Sequence, residues 1–206
     1  MISYSEHCGA SGPVRFSTIF SDKVYGEGFR VRRPQAVFVD RDGTIGGSGH
    51  FVHPRDFTPY PRSLEALKTL RKWGITMFAF TNQHRICRGE ATVQEFREEF
   101  RILGFDDAFI CPHDPLDGCA CHKPHPGLLW QAAQKHHLDL TQCVVIGDVG
   151  ATDMLAAHAV GAAKVLVRTG WGESSLGLYR HTWEAVQPDM VAMDLLEAVH
   201  GIMESG

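Results

Sequence analysis

The segment Ala36-Val37-Phe38-Val39-Asp40-Arg41-Asp42-Gly43-Thr44 runs from four apolar residues straight into two carboxylates. The apolar run has the length and composition of a strand covered on both faces, as in a parallel sheet. Such a strand delivers Asp40 and Asp42 to its carboxyl end, and Gly43 lets the backbone turn sharply after them. In an open α/β sheet, the carboxyl ends of the strands face the crevice where ligands bind. Two carboxylates there suit metal-assisted phosphoryl transfer. Asp40 can attack phosphorus while a metal ion offsets its repulsion from the anionic phosphate, and Asp42 can move a proton. The Asp-x-Asp-Gly pattern also occurs in plain turns, so this segment alone leaves both readings open.

Working outward, strands and helices alternate. Pro61 opens a helix whose Leu64, Leu67 and Leu70 recur at helical spacing as core positions, and Gly74 stops it. A strand over 75–80 runs into Thr81-Asn82-Gln83-His84-Arg85-Ile86-Cys87-Arg88-Gly89, whose hydroxyl, amide and two arginines suit a phosphate-handling loop. Thr92 and Glu95 form a capping-box signature for a helix through Phe100, and a strand covers 108–111. After about a dozen irregular residues come a helix over 126–136 and a strand over 143–146 that ends in Gly147-Asp148. A helix over 153–159, a strand over 164–167 and a closing helix over 195–202 with Asp194 as its cap complete the series. This alternation predicts a doubly wound parallel sheet. Residues 1–34, with several glycines and prolines and no periodicity, read as an irregular extension before a catalytic domain over 35–206.

The 206 residues suit one α/β domain, with 44% hydrophobic and 21% charged residues and a formal charge of −4. No basic tail or long single-sign run supports a nucleic-acid or membrane-surface role. No stretch approaches the length needed to span a bilayer, and the first residues lack a basic segment followed by an apolar one, so the expected location is the cytoplasm.

Three of the six cysteines cluster with a histidine in Cys111-Pro-His113-Asp-Pro-Leu-Asp-Gly-Cys119-Ala-Cys121-His-Lys123-Pro. Three thiolates and one imidazole make a closed tetrahedral Zn²⁺ set, and the clustering favours metal over disulfides. Four protein ligands leave no position for water, so the zinc would be structural. Free thiols are the competing reading.

Asp40, Thr81 and Asp148 end three separate strands, and Lys123 follows another through a loop. Val39-Asp-Arg-Asp-Gly-Thr44, Phe80-Thr-Asn-Gln83, Lys123-Pro124 and Gly147-Asp148 through Asp153 resemble the four ordered motifs of the haloacid dehalogenase superfamily, over roughly residues 35–170. That resemblance implies a Rossmann-like fold with Asp40 as nucleophile and Asp42 as general acid and base. It also implies Thr81, Asn82 and Lys123 at the phosphoryl group, and Mg²⁺ held by Asp40, the backbone carbonyl of Asp42 and Asp148. Asp153 would either bind the metal through water or cap the following helix and orient the loop. Each role answers a need: the charge spread over the equatorial oxygens in phosphoryl transfer is stabilised by Mg²⁺, an ammonium and a hydroxyl donor. A carboxylate at Asp42 favours a hydrolase over a transport ATPase.

The cysteine loop, with Gly49-His-Phe-Val-His53, Ile86-Cys-Arg-Gly89, Lys123-Pro-His-Pro-Gly127 and Leu166-Val-Arg-Thr-Gly170, is similar to that of D-glycero-D-manno-heptose 1,7-bisphosphate phosphatases and the related histidinol-phosphate phosphatases. The resemblance implies a small phosphorylated metabolite, first a sugar phosphate, as substrate. Its contacts would come from His50, Phe51, Gln83, Arg85, Arg88 and His122. The short spacing between motifs leaves no room for a large cap domain. Two positions depart from the relatives: His122 stands where they carry arginine, and His84-Arg85 where they carry Ser-Gly. A reading from a different class keeps Asp40 as the phosphoacceptor of a receiver-like protein, which Asp42 disfavours because it promotes turnover of an acyl phosphate.

Overall fold

Six parallel strands lie in the order β3-β2-β1-β4-β5-β6, in a computed structural model that describes residues 33–204. They are β1 (Ala36–Val39), β2 (Thr76–Asn82), β3 (Asp107–Cys111), β4 (Cys143–Gly147), β5 (Ala163–Val167) and β6 (Met190–Ala192). The extension read at 1–34 falls, up to residue 32, outside the described residues. Central β1 pairs with β2 on one side and β4 on the other, with Val39 level with Ala79 and Ile146. The winding direction reverses between β1 and β4, and in such a sheet the crevice for ligands opens at that reversal. Asp40 and Asp148 immediately follow the two strands concerned.

The strand period of two divides the core. Val37 and Val39 face the layer formed by α1 (Pro61–Lys72), α2 (Val93–Leu103) and α6 (Leu195–Glu204), where they join Leu67, Leu70, Phe96, Phe100 and Val199. Ala36 and Phe38 face α3 (Gly127–His136) and α4 (Leu155–Ala159), where they meet Leu128, Leu129, Ala156 and Ala157. With every β1 side chain buried, the continuous apolar run that announced a doubly covered strand is accounted for.

Several expectations need adjustment. In α1 the buried positions are Ser63, Ala66, Leu67 and Leu70, whereas Leu64 is 38% exposed. The buried set follows the i, i+3, i+4, i+7 rule, and Leu64 lies one residue off that stripe. β2 continues through Thr81 and Asn82, which pair with Ile110 and Cys111, because β3 extends far enough to hold them. α2 has the expected cap, with Glu95 N donating to Thr92 Oγ1 at 3.2 Å and Thr92 N to Glu95 Oε2 at 2.9 Å. It runs on to Leu103, where Gly104 at φ +91° ends it. The helix read from Asp153 begins at Leu155, behind a π-helical turn over Gly150–Met154. Asp194 caps α6 as expected, its Oδ1 accepting from Glu197 N at 3.0 Å.

The elements α5 (Gly172–Leu176) and β6 carry no periodic signal and were not anticipated. The long connections after β1 and β3 hold only single 3₁₀ turns, Pro54–Asp56 and Pro115–Asp117, so among the described residues no cap domain is inserted. No helix of the described residues is long and apolar enough to cross a membrane.

Candidate active site

Past Val39 the chain leaves the sheet through a tight loop closed by Gly43 N donating to Gly46 O at 2.7 Å. Gly43 has φ +93°, and a Cβ there would run into the Asp148 carboxylate, so this turn needs glycine for both conformation and space. The loop leaves Asp40 at 7% exposure on the floor of a cavity of about 200 Å³. Asp42, Phe51, Thr81, Asn82, Gln83, His84, Lys123 and Asp153 also line it.

Lys123 reaches this floor from the irregular segment after β3 and is 4% exposed. Its Nζ donates to Asp40 Oδ1 at 2.7 Å, Asp153 Oδ1 at 2.6 Å and Phe80 O at 3.0 Å. Burial alone would push the ammonium down, but the Asp153 and Asp40 carboxylates hold it above its ordinary range. It is a cation throughout neutral pH. Asn82 does not point freely into the cavity: its side-chain amide pairs with the backbone N and O of Lys123.

Asp40, Asp148 and Asp153 offer carboxylate oxygens within 4.8 Å of one another, all buried. Asp148 Oδ1 accepts from Thr44 Oγ1 at 3.3 Å and its Oδ2 from Trp171 N at 2.7 Å. Burial, with Asp40 and Asp153 alongside, raises its carboxyl well above the ordinary range. Burial likewise pushes Asp153 up to about 6, although Lys123 pulls against it. Asp153 Oδ2 accepts from Val149 N at 3.0 Å and so ties the loop behind β4; it makes no cap to α4. Three carboxylates facing one bonded ammonium form a hard oxygen set with unbalanced negative charge. That is the donor chemistry of a small divalent cation such as Mg²⁺.

Asp42 is held by both oxygens, Oδ1 by Arg41 Nη1 at 2.6 Å and Oδ2 by Gln83 Nε2 at 2.6 Å. Burial raises its carboxyl to about 6 while Arg41 opposes, which leaves it able to give and take a proton near neutral pH. Arg41, which holds this carboxylate, and Glu99, which accepts from the Arg41 guanidinium, were not singled out from the sequence. The signal was an arginine sandwiched between two functional aspartates. Trp171 was missed too: its backbone N–H holds Asp148, and its indole Nε1 donates to Gly49 O at 3.2 Å.

Beside this cavity Cys111, His113, Cys119 and Cys121 bring their ligand atoms together. The sulfurs lie 3.6 Å (Cys111 to Cys119), 3.4 Å (Cys111 to Cys121) and 3.5 Å (Cys119 to Cys121) apart. His113 Nδ1 lies 3.7 Å from Cys111 Sγ and 3.2 Å from Cys121 Sγ. A tetrahedron with Zn–S of about 2.3 Å has sulfurs separated by about 3.8 Å, so the set fits Zn²⁺ closely. Burial pushes the Cys111 and Cys121 thiols up; Cys119, against some desolvation of its own, is drawn down to about 7 by the Cys121 and Cys111 sulfurs. A cation in their midst would allow all three to ionise.

The remaining predicted substrate contacts are scattered. Phe51 and Gln83 line the cavity, whereas His50 is exposed and packs edge-on against Trp171 at 5.2 Å. His122 is half-buried and directs Nδ1 towards Cys111 Sγ at 3.7 Å. Arg85 pairs with Glu90 at 2.9 Å and Arg88 with Asp114 at 3.2 Å, both on the surface beyond β2.

Comparison with known proteins places these features in context. Residues 120–198 match the HAD-hydrolase-like family model. The chain is 36% identical over 153 residues to a D-glycero-beta-D-manno-heptose-1,7-bisphosphate 7-phosphatase from Escherichia coli (strain K12), covering 66% of this chain and 80% of that protein. The protein of that name from Pseudomonas aeruginosa is 39% identical over 153 residues, with 68% and 85% covered. A crystal structure of D,D-heptose 1,7-bisphosphate phosphatase from B. bronchiseptica, complexed with magnesium and phosphate, is similar with a TM-score of 0.72 and 29% identity. That likeness covers 84% of this chain and 99% of that one.

Proposed function

The chain belongs to the haloacid dehalogenase-like phosphatases, and on that premise we propose that it removes a phosphate from a D-glycero-D-manno-heptose 1,7-bisphosphate through an aspartyl-phosphate on Asp40. The observation that carries this reading is the buried contact between Lys123 Nζ and Asp40 Oδ1 at 2.7 Å, beside a carboxylate with a pKa of about 6 at Asp42. A nucleophile, a fixed cation and a proton carrier thus share one small cavity.

In the first half-reaction an Asp40 oxygen bonds to phosphorus as the bond to the sugar oxygen breaks, and protonated Asp42 gives its proton to that oxygen. In the second, Asp42 as carboxylate takes a proton from water, which bonds to phosphorus and releases Asp40 and inorganic phosphate. Lys123 and Thr81 stabilise charge on the equatorial oxygens, and Asn82 fixes Lys123. Asp40, Asp148, Asp153 and the Asp42 carbonyl are the residues to hold Mg²⁺, which supplies charge neutralisation between nucleophile and phosphate. The magnesium and phosphate of the B. bronchiseptica enzyme support this assignment. Cys111, His113, Cys119 and Cys121 are assigned to structural Zn²⁺.

The heptose assignment rests on the names of the relatives at 36% and 39% identity. Phe51, Gln83 and His84, which line the cavity, are assigned to the sugar, and Arg85 and Arg88, paired on the surface with Glu90 and Asp114, are assigned to its second phosphate. We take residues 35–206 as the phosphatase domain. The cytoplasm fits Cys87 and Cys143 as unpaired thiols and the absence of a disulfide at Cys111, Cys119 and Cys121.

A phosphate-release assay on purified protein with Mg²⁺ tests the reading, comparing the heptose bisphosphate with histidinol phosphate. Repeated turnover with a clear kcat/KM preference for the bisphosphate is expected. Preference for histidinol phosphate would overturn the substrate, and release of one equivalent followed by arrest would overturn hydrolysis in favour of a phosphoacceptor. Alanine at both Arg85 and Arg88 should raise KM for the bisphosphate more than for a simple monophosphate.

A further inference from the structure

Arg41 stands between the two aspartates of the first motif, yet its side chain is fully buried and turned away from the cavity towards α2. Its Nε and Nη2 donate to Glu99 Oε1 at 2.8 Å and Oε2 at 2.7 Å, a two-pronged pairing. The third bond, from Nη1, goes to Asp42 Oδ1 at 2.6 Å. The guanidinium carbon lies 3.8 Å from the ring centroid of Phe57 and 4.9 Å from that of Phe96, so its plane is packed from the long loop after β1 and from α2. From the other side Gln83 Nε2 donates to Asp42 Oδ2 at 2.6 Å and to Thr81 Oγ1 at 3.0 Å.

Fold stability is a weak explanation for this arrangement. Moving a guanidinium and a carboxylate out of water is expensive, and apolar residues of similar volume commonly replace such pairs with little or no loss. What apolar residues cannot supply is a directed hydrogen bond onto a catalytic carboxylate. We propose that Arg41, oriented by Glu99, is a positioning residue that holds the Asp42 carboxylate in its proton-transfer geometry, with Gln83 as the opposing half of the clamp. The inference rests on Asp42 being the proton carrier argued above.

The geometry has a chemical rationale. A carboxylate that serves first as acid and then as base must present the same oxygen to the leaving group and then to water, within hydrogen-bond reach each time. Anchored by one oxygen, Asp42 could rotate about its χ angles; anchored by both, it cannot. The two-pronged bond to Glu99 fixes the guanidinium in turn, and a lysine cannot reproduce that fork. α2 and the loop around Phe57 thereby become supports of the proton-transfer step without touching substrate.

The test uses Glu99→Gln and Arg41→Lys, each made in the wild-type and Asp42→Asn backgrounds, with the heptose bisphosphate and saturating Mg²⁺. In the wild-type background Glu99→Gln should lower kcat by roughly 10-fold and Arg41→Lys by roughly 10²-fold, the scale of lost positioning, with KM within about two-fold. In the Asp42→Asn background the same substitutions should lower kcat by less than about two-fold, because groups that act through one another are not additive. Losses that multiply in full in that background would overturn the inference. So would a lowered thermal midpoint with unchanged turnover per folded molecule. Should Arg41→Lys fail to fold, Glu99→Gln alone decides the outcome. Full activity of Asp42→Asn by itself would overturn the proton-carrier reading and this inference together, whereas impaired Asp42→Asn with fully active Glu99→Gln would overturn this inference alone.

Discussion

The side chain of Asn82 brackets the backbone of Lys123: Lys123 N donates to Asn82 Oδ1 at 3.0 Å, and Asn82 Nδ2 donates to Lys123 O at 3.2 Å. The last residue of β2 therefore fixes the residue whose ammonium lies on Asp40. The carboxyl end of an interior strand thereby fixes a residue in an irregular segment, where the local sequence offers no regular structure to hold it.

Asn82→Ala removes both bonds and leaves the Lys123 charge in place. Turnover should fall by about 10²-fold, the cost of an error near 1 Å in a catalytic group, with the fold retained. Steady-state kinetics and thermal unfolding on one sample check it. Near-normal kcat would show that the rest of the segment positions the lysine unaided.

Asp42→Asn keeps the size of the side chain and one of its two accepting oxygens, the one facing Arg41 Nη1 or Gln83 Nε2, but cannot carry a proton. The rate should fall by about 10²–10⁴-fold, the usual span for a general acid–base contribution, while some phosphoryl capture on Asp40 survives. Rapid quench with radiolabelled substrate should find phosphate accumulating on the variant protein. Full turnover at neutral pH would assign Asp42 another role.

The acidic cluster predicts a pH-dependent response to Mg²⁺. Burial raises Asp153 from 3.8 to about 6, and Asp148 rises for the same reason. Between those limits the metal-free folded protein keeps protons that the unfolded chain has already lost. The contribution of these groups to stability therefore falls as pH rises through that window, and it stays low above it. Mg²⁺ binds the ionised carboxylates, so it should raise the thermal midpoint clearly at about pH 7.5 and little at about pH 5, where protons compete. An equal rise at both pH values, or none at the higher, would count against the cluster as the Mg²⁺ site.

Much of this site could be read from the chain because its parts follow strands. Asp40, Thr81 and Asp148 lie at the ends of β2 or just beyond β1 and β4, so the apolar runs announce them, and the cysteine spacing announces the tetrahedral set. What was not legible depends on contacts between distant segments. Nothing near Arg41 in sequence says that Glu99, 58 residues on, will receive it. The pairing of Arg88 with Asp114 and the turn of His122 towards Cys111 depend on how the loop after β3 folds back. Leu64 followed a leucine count where the buried stripe follows Ala66, Leu67 and Leu70, and β6, three residues long, is too short to show a period.

The last prediction couples the cysteine cluster to catalysis. Cys111 ends β3 level with Asn82 on β2, and Cys121 stands two residues before Lys123. A metal holding Cys111, His113, Cys119 and Cys121 would thus fix the Lys123 segment at one end, as Asn82 does at the lysine itself. Changing Cys119 and Cys121 to Ser should remove bound zinc and cut turnover per folded molecule on the order of 10²-fold through mispositioning of the ammonium. Added Mg²⁺ should not restore it, since no carboxylate has changed. If zinc only staples a surface loop, stability falls while the turnover of the remaining folded molecules does not. Metal content, thermal unfolding and turnover measured on the same variants separate the two: zinc-free, folded protein with unchanged kcat would rule out the coupling.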